Sequence, residues 1–163
     1  CAWMQVGTVT IPNSTYVSVP QSIIHAGGRV EFEDKYWRGL YQLKPYPIWD
    51  SAKRFTSGMY EQGQYMCLSF HAKKLLPIGR GGMILTDNSD AVEYFKKARH
   101  DGRQEGVPLK DCVFDVLGWN CYMTPEQAAR GIQLLSLYPE NQRDLPYEDY
   151  GDLSKFDIFR NCE

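Results

Sequence analysis

The sequence predicts an α/β fold, a sheet whose strands alternate with helices along the chain. Two observations carry this. Short runs of β-branched and aromatic residues, bounded by Pro, Gly, Asn or Asp, recur through the first half of the chain, which is the pattern of buried strands. Between and after them stand segments with helix-start and helix-stop signals. Such alternation indicates a sheet covered by helices, and in sheets of this kind functional side chains collect at the carboxyl ends of strands.

Each element has its own justification. "VGTVTIP" (6–12) reads as a short buried strand stopped by Pro12. "TYVSVPQSIIHAGG" begins as a turn, continues as a helix and ends at Gly27-Gly28, a favourable C-cap. "RVEFED" alternates as a strand does, and "YPIWD", "QYMCLSF" and "GGMILTD" are three more. Asn88 is placed to cap "SDAVEYFKKARH", with acids in its first turn, bases in its last and Glu93 four residues before Lys97. After a charged loop, "GWNCY" leads into "TPEQAARGIQLLSLY". There Thr124 with Gln127 spells a capping box and Pro125 takes the first helical position. Beyond Pro139 the composition turns to Asp, Tyr, Pro and Arg without clear periodicity. The expected organisation is a core over residues 1–139 followed by an irregular tail, 140–163, holding at most a short strand or turn.

Composition bounds the function. A chain of 163 residues builds one domain with a real core. Hydrophobic residues at 43% and charged residues at 23% fit an ordinary globular protein. The formal net charge of −2 argues against nucleic acid as the main partner. No apolar run approaches the roughly 20 residues that span a bilayer, so no membrane association is expected. Five cysteines (Cys1, Cys67, Cys112, Cys121 and Cys162) are odd in number and lack CxxC spacing. That suits free thiols in a reducing, cytoplasmic setting better than a disulfide framework or a zinc site. The chain opens on Cys1 and enters a strand almost at once, which reads as a processed or truncated start.

Asp50, Ser69 and the loop carrying Lys73 and Lys74 all fall at predicted strand ends. An aspartate at one strand end, with a serine and a lysine at a nearby one, suits pyridoxal phosphate chemistry. The lysine must lose its proton part of the time to form a Schiff base, which desolvation or a cationic neighbour promotes. The aspartate keeps the pyridine nitrogen protonated, so that the ring acts as an electron sink. A hydroxyl and a helix N-terminus can hold the phosphate. Strands often end in Asp and most lysines are solvated, so this pattern alone fits an exposed basic loop better than a cofactor site.

Longer strings narrow the choice. "SFHAKKLLPIGRGGMILT" resembles the segment S-F-H-x-x-K-x-L-x-x-G-E-G-G-M-x-x-T of the DegT/DnrJ/EryC1/StrS sugar aminotransferases, fold-type I enzymes that use pyridoxal phosphate. "IPNSTYVSVPQSIIHAGGRVEFED", "PIWDSAKRFTSGMY" and "LGWNCYMTPEQAARGIQLL" are similar, in the same order, to three further stretches of that family. The resemblance implies a compacted or partial large domain of the aspartate-aminotransferase-like fold. It implies that Lys74 is the Schiff-base lysine, Asp50 the partner of the pyridine nitrogen, Tyr16 the aromatic stacked on the ring and Ser69 a phosphate-binding hydroxyl. Asn120 corresponds to an asparagine that reaches the phosphate of a neighbouring subunit, which implies a homodimer with shared sites. The implied reaction moves an amino group from a donor such as glutamate to a keto sugar nucleotide. His71 stands where the family often has histidine, and a structural role is expected for it.

The sequence also departs from the family. Lys53 stands where Gln or His usually bonds the cofactor's phenolic oxygen, Arg80 replaces an acid in the glycine turn, and Tyr122 stands where Arg is common. Residues 35–49 are all that separates "RVEFED" from Asp50, where the family inserts another helix and strand. The family's phosphate loop should precede "TVTIP", and its C-terminal small domain has almost no counterpart. Two alternatives to an active aminotransferase follow: a catalytically silent homologue serving as a binding or scaffold protein, or one half of a split enzyme.

Overall fold

A computed structural model of the chain describes residues 1–147 and 150–160. Strand β1 (Thr8–Pro12) and strand β2 (Arg29–Glu33) pair in parallel, Thr8 opposite Arg29 through Pro12 opposite Glu33. Helix α1 (Ser18–His25) makes the crossover that a parallel pair requires, burying Pro20 and Ile23. Its end is the predicted glycine stop. The Gly28 amide donates to the Ile23 carbonyl and the Gly27 amide to the Ile24 carbonyl, both at 2.9 Å. Gly27 sits at φ 81°, where a side chain is strained. Gly28 is needed for a different reason: a Cβ there would lie 2.8 Å from the Gly7 carbonyl oxygen.

A second sheet holds β3 (Tyr41–Leu43), β4 (Ile48–Asp50), β5 (Tyr65–Ser69) and β6 (Gly82–Leu85) in that spatial order. Only the β4–β5 pair is parallel; β3 and β6 run antiparallel to their neighbours. Reciprocal backbone hydrogen bonds between Thr10 and Lys44, at 2.9 and 3.1 Å, join β1 to β3 and set the two sheets edge to edge. Strand β3 was not among the predicted elements, since three residues are too few to show a period. It fills the stretch where the family carries a further helix and strand. The connection from β4 to β5, residues 51–64, is a loop and not a helix. Its Ser57-Gly58 and Gly63 break helical pattern, and Gly58 and Gly63 adopt positive φ.

Helix α2 (Ser89–Ala98) begins as predicted, with the Asn88 side chain accepting from the Ala91 amide at 2.9 Å. The expected Glu93–Lys97 pair gives way to two others. Glu93 pairs with Lys96 at 2.8 Å, and Lys97 reaches both carboxylate oxygens of Asp115 on the following loop. Helix α3 (Pro125–Ser136) carries the full capping box: the Gln127 amide donates to the Thr124 hydroxyl, and the Thr124 amide donates to the Gln127 side chain. Thr124→Ala is expected to cost about 1 kcal/mol, the usual scale for a lost N-cap, read as a lower urea midpoint at unchanged slope.

The main core lies where α1 meets β1, β3, β4 and β5, and includes Val9, Ile11, Ile23, Leu43, Ile48 and Tyr65. A smaller cluster of Leu68, Phe70, Leu76 and Ile78 lies under the loop that follows β5 and anchors both of its ends. Cys1, Cys67, Cys112 and Cys121 are free thiols; Cys162 lies outside the described residues. Burial pushes the Cys67 thiol up to about 11, with the nearby Asp50 charge adding to the effect. Cys67 should therefore react with a disulfide reagent at mildly alkaline pH roughly a hundredfold more slowly than exposed Cys121. Mass spectrometry of the labelled peptides checks this, and equal labelling would contradict it. Among the described residues no helix is long and apolar enough to cross a membrane, and no group of three or more His, Cys, Asp or Glu is placed to hold a metal ion.

The tail is irregular in secondary structure but not detached. Its described part has two short 3-10 turns, Leu153–Lys155 and Asp157–Phe159, and Phe159 is buried. The Leu145 amide donates to the Lys53 carbonyl at 2.9 Å and the Leu153 amide to the Asn13 carbonyl at 2.8 Å. Tertiary bonds hold this segment where no local period could.

Candidate functional site

The parallel pairing of β4 with β5 sets Asp50 opposite Cys67, so Asp50 and Ser69 finish at the same end of the sheet. The Asp50 carboxylate is held from two directions. One oxygen accepts from the Ala52 amide at 2.8 Å and the other from the Tyr41 hydroxyl at 3.0 Å. Tyr41 is buried on β3, and its hydroxyl also meets that of Thr15. Loss of water raises the Asp50 carboxyl above its ordinary value; the Ala52 amide, Tyr41, and the charges of Lys74 and Lys53 work against that rise. Burial and then the Asp50 charge hold the Tyr41 phenol well above 10, so it remains a donor.

The adjacent lysines after β5 part company. A turn closed by the Lys74 amide on the His71 carbonyl, 2.9 Å, sends Lys74 inward, where its Nζ donates to the Tyr150 hydroxyl at 3.1 Å. Lys73 stays exposed, and its amide donates to His71 Nδ1 at 3.3 Å. The Ser69 hydroxyl accepts from the His71 amide at 3.4 Å. His71 thus shapes the turn.

Lys53 is buried, at 6% exposure. Its Nζ donates to the Pro146 carbonyl and lies 4.4 Å from the centre of the Tyr150 ring. Tyr16 is exposed at its outer side and lies 6.0 Å from Tyr150, ring centre to ring centre. Trp37 stacks on Tyr150 at 6.2 Å and on Tyr147 at 5.5 Å, with its indole N–H donating to the Ser14 carbonyl. The Ser51 hydroxyl, fully buried beside Asp50, has no hydrogen-bond partner among the described residues. Of the residues singled out in the sequence, Asp50, Lys74, Lys53, Tyr16 and Ser69 come to one side of the molecule. Asn120 does not: it is exposed, bridges to His100 and donates to Asp101 at 3.4 Å.

Tyr41, Trp37 and Tyr150, which adjoin the candidate residues, were not singled out in the sequence. Tyr41 and Trp37 lie in the short stretch "YWRGLYQL", and Tyr147 and Tyr150 stand three apart in the tail. That density of aromatic residues near a charged strand end was the available signal. The donor set fits pyridoxal phosphate: a carboxylate for a protonated ring nitrogen, an amine facing the same space and an aromatic ring at its border. The space itself holds Tyr150.

Residues 52–144 match the model of the DegT/DnrJ/EryC1/StrS aminotransferase family. Three solved structures share the fold. A provisionally assigned PLP-dependent aminotransferase from Bacillus cereus superposes with a TM-score of 0.66 at 21% identity, covering 82% of this chain and 47% of that one. An aminotransferase from Streptoalloteichus hindustanus gives 0.64 at 19% identity, over 80% and 46%. A sugar aminotransferase from Micromonospora echinospora gives 0.63 at 14%, over 80% and 49%. The chain spans about half the length of the solved structures it matches. Among curated proteins nothing matches it.

Proposed function

We propose that this chain, which belongs to the DegT/DnrJ/EryC1/StrS aminotransferase family, binds pyridoxal 5'-phosphate between Asp50 and Lys74 and serves amino-group transfer to a keto sugar nucleotide from an amino acid such as glutamate. The observation that carries this reading is the parting of the two lysines, with Lys74 turned toward the strand end where Asp50 is held and Lys73 turned to solvent.

When bound, pyridoxal phosphate supplies an electron sink for negative charge at the donor's α-carbon. Asp50, fixed by Ala52 and Tyr41, would keep a proton on the ring nitrogen through a charge-assisted hydrogen bond. Lys74 would hold the cofactor through its Nζ and, once freed by the amino donor, would serve as the base that moves a proton at the donor's α-carbon. Tyr16 would border the ring, the Ser69 hydroxyl would serve the phosphate, and Lys53 would donate to the phenolic oxygen. Asn120 would serve the phosphate of a second copy in a homodimer with shared sites, and sedimentation at micromolar concentration tests that assembly. Free thiols suit a cytoplasmic location.

The decisive experiment is spectroscopic. Adding pyridoxal phosphate should raise a visible band that an amino donor bleaches, and no bleaching by any donor would sink the transferase reading. One observation favours a second reading, a silent homologue that binds or scaffolds a partner: Tyr150 lies within the space the cofactor needs. A protein with no visible band even after Tyr150→Ala would support that alternative.

A further inference from the structure

Tyr150 is bound much as a ligand would be. Its hydroxyl accepts from Lys74 at 3.1 Å, Lys53 Nζ lies 4.4 Å from its ring centre, and the rings of Tyr16 and Trp37 border it at 6.0 and 6.2 Å. The chain on either side of it is fastened to the core. Upstream, Asp144 takes two hydrogen bonds from the Arg54 guanidinium, at 3.0 and 2.6 Å, and its carbonyl accepts from Arg38. Lys53 bonds the Pro146 carbonyl, so one of the site's own cations also anchors the tail. Downstream, Asp152 bridges to Ser14, two residues from Tyr16, and Phe159 is buried.

We propose that the tail, through residues 143–147 and 150–160, is an intramolecular strap whose Tyr150 fills the ring space and competes with pyridoxal phosphate for Lys74. The proposal rests on the cofactor reading above. Three physical points support it. The Arg54–Asp144 pair is a bidentate, partly shielded contact, the geometry in which an ion pair is strongest. A tethered competitor acts at high effective concentration whatever the solution contains. Both lysines assigned to the cofactor are engaged by the strap, Lys74 by the Tyr150 hydroxyl and Lys53 by the Pro146 carbonyl and the Tyr150 ring, so the strap draws on the same two amines that a cofactor would use. A strap closed about 99% of the time lowers apparent cofactor affinity about a hundredfold.

The covalent step gives a direct readout. Schiff-base formation joins the Lys74 nitrogen to the aldehyde carbon and releases water, and borohydride then adds hydride to the new C=N bond, fixing the adduct. Two rates are measured by peptide mass spectrometry on the full chain and on its Tyr150→Ala and Asp144→Ala variants. One is acetylation of Lys74 by acetic anhydride without cofactor, and the other is borohydride-fixed capture of pyridoxal phosphate at Lys74. Both should rise at least about tenfold in Tyr150→Ala. They should rise by less in Asp144→Ala, which loosens the strap without touching the ring space. Exposed Lys73 serves as a reference, and its acetylation should stay constant. Asp144→Ala decides the matter if Tyr150→Ala fails to fold. Acetylation of Lys74 that is the same in the full chain and in the folded variants overturns the strap. Acetylation that rises while no variant captures the cofactor upholds the strap and sinks the cofactor reading. Rapid capture by the full chain, unchanged by either substitution, upholds the cofactor reading and overturns the strap.

Discussion

Lys74→Ala is expected to abolish the borohydride-fixed pyridoxal phosphate adduct, while Lys73→Ala leaves it intact. The two residues are adjacent and chemically identical, so only their placement can separate them. Lys74 is half-buried and faces the end of β4, with its charge acting on Asp50. Lys73 is exposed and its backbone is committed to the His71 turn. An amine turned to solvent meets an aldehyde only by chance, whereas one turned toward the end of β4 is positioned for a bound one. The lost adduct should reach the level of random surface labelling, and the Tyr150→Ala background gives the measurement its greatest range. Equal labelling of Lys73 and Lys74 would remove the basis for assigning either.

The second large effect concerns Asp50. In the proposed role Asp50 keeps the ring nitrogen protonated, so Asp50→Asn should slow the half-reaction with an amino donor on the order of a hundredfold or more. Stability should move the other way. The folded-state carboxyl lies above its ordinary value because burial disfavours its charge. Such a group contributes stability that is fully present below the unfolded-state value, near 3.9, and is lost as pH rises through the raised folded value. Above that raised value the ionised carboxylate is therefore a cost to folding. Asp50→Asn should leave the urea midpoint at neutral pH unchanged or higher, and should flatten the part of the pH–stability profile just above the ordinary carboxylate range. A variant that is less stable at neutral pH and reacts at the original rate would mean that Asp50 is only a strand-end residue.

The two effects diverge because the same enclosure has opposite consequences for function and folding. The Tyr41 hydroxyl and the Ala52 amide fix the carboxylate in one place, as a directed hydrogen bond requires. Water that would stabilise the charge is excluded by the same arrangement. Strain of this kind is commonly concentrated at functional sites.

Local chemistry in the sequence determined a good deal of this protein. Asn88, the Thr124–Gln127 box and the Gly27-Gly28 stop each act within one turn of chain, so their effects are visible in adjacent residues. Strands β1, β2, β4, β5 and β6 were legible from apolar runs and their boundaries, and ordered motifs pointed to the family to which residues 52–144 belong. Only tertiary structure decided the rest. Strand β3 exists because β1 and β4 supply hydrogen bonds on its two sides, a partnership three residues cannot announce. Glu93 chose Lys96 because a distant loop offered Asp115 to Lys97. Which of two neighbouring lysines turns inward depends on a turn braced by His71 and on a cluster of buried residues beneath it. The tail shows no period because its order comes from Arg54, Lys53 and Asn13, far away along the chain. Sequence patterns report interactions between near neighbours; the position of Tyr150 among Lys74, Lys53 and Trp37 is set by contacts whose partners are dozens of residues apart, and it becomes visible only when the chain is folded.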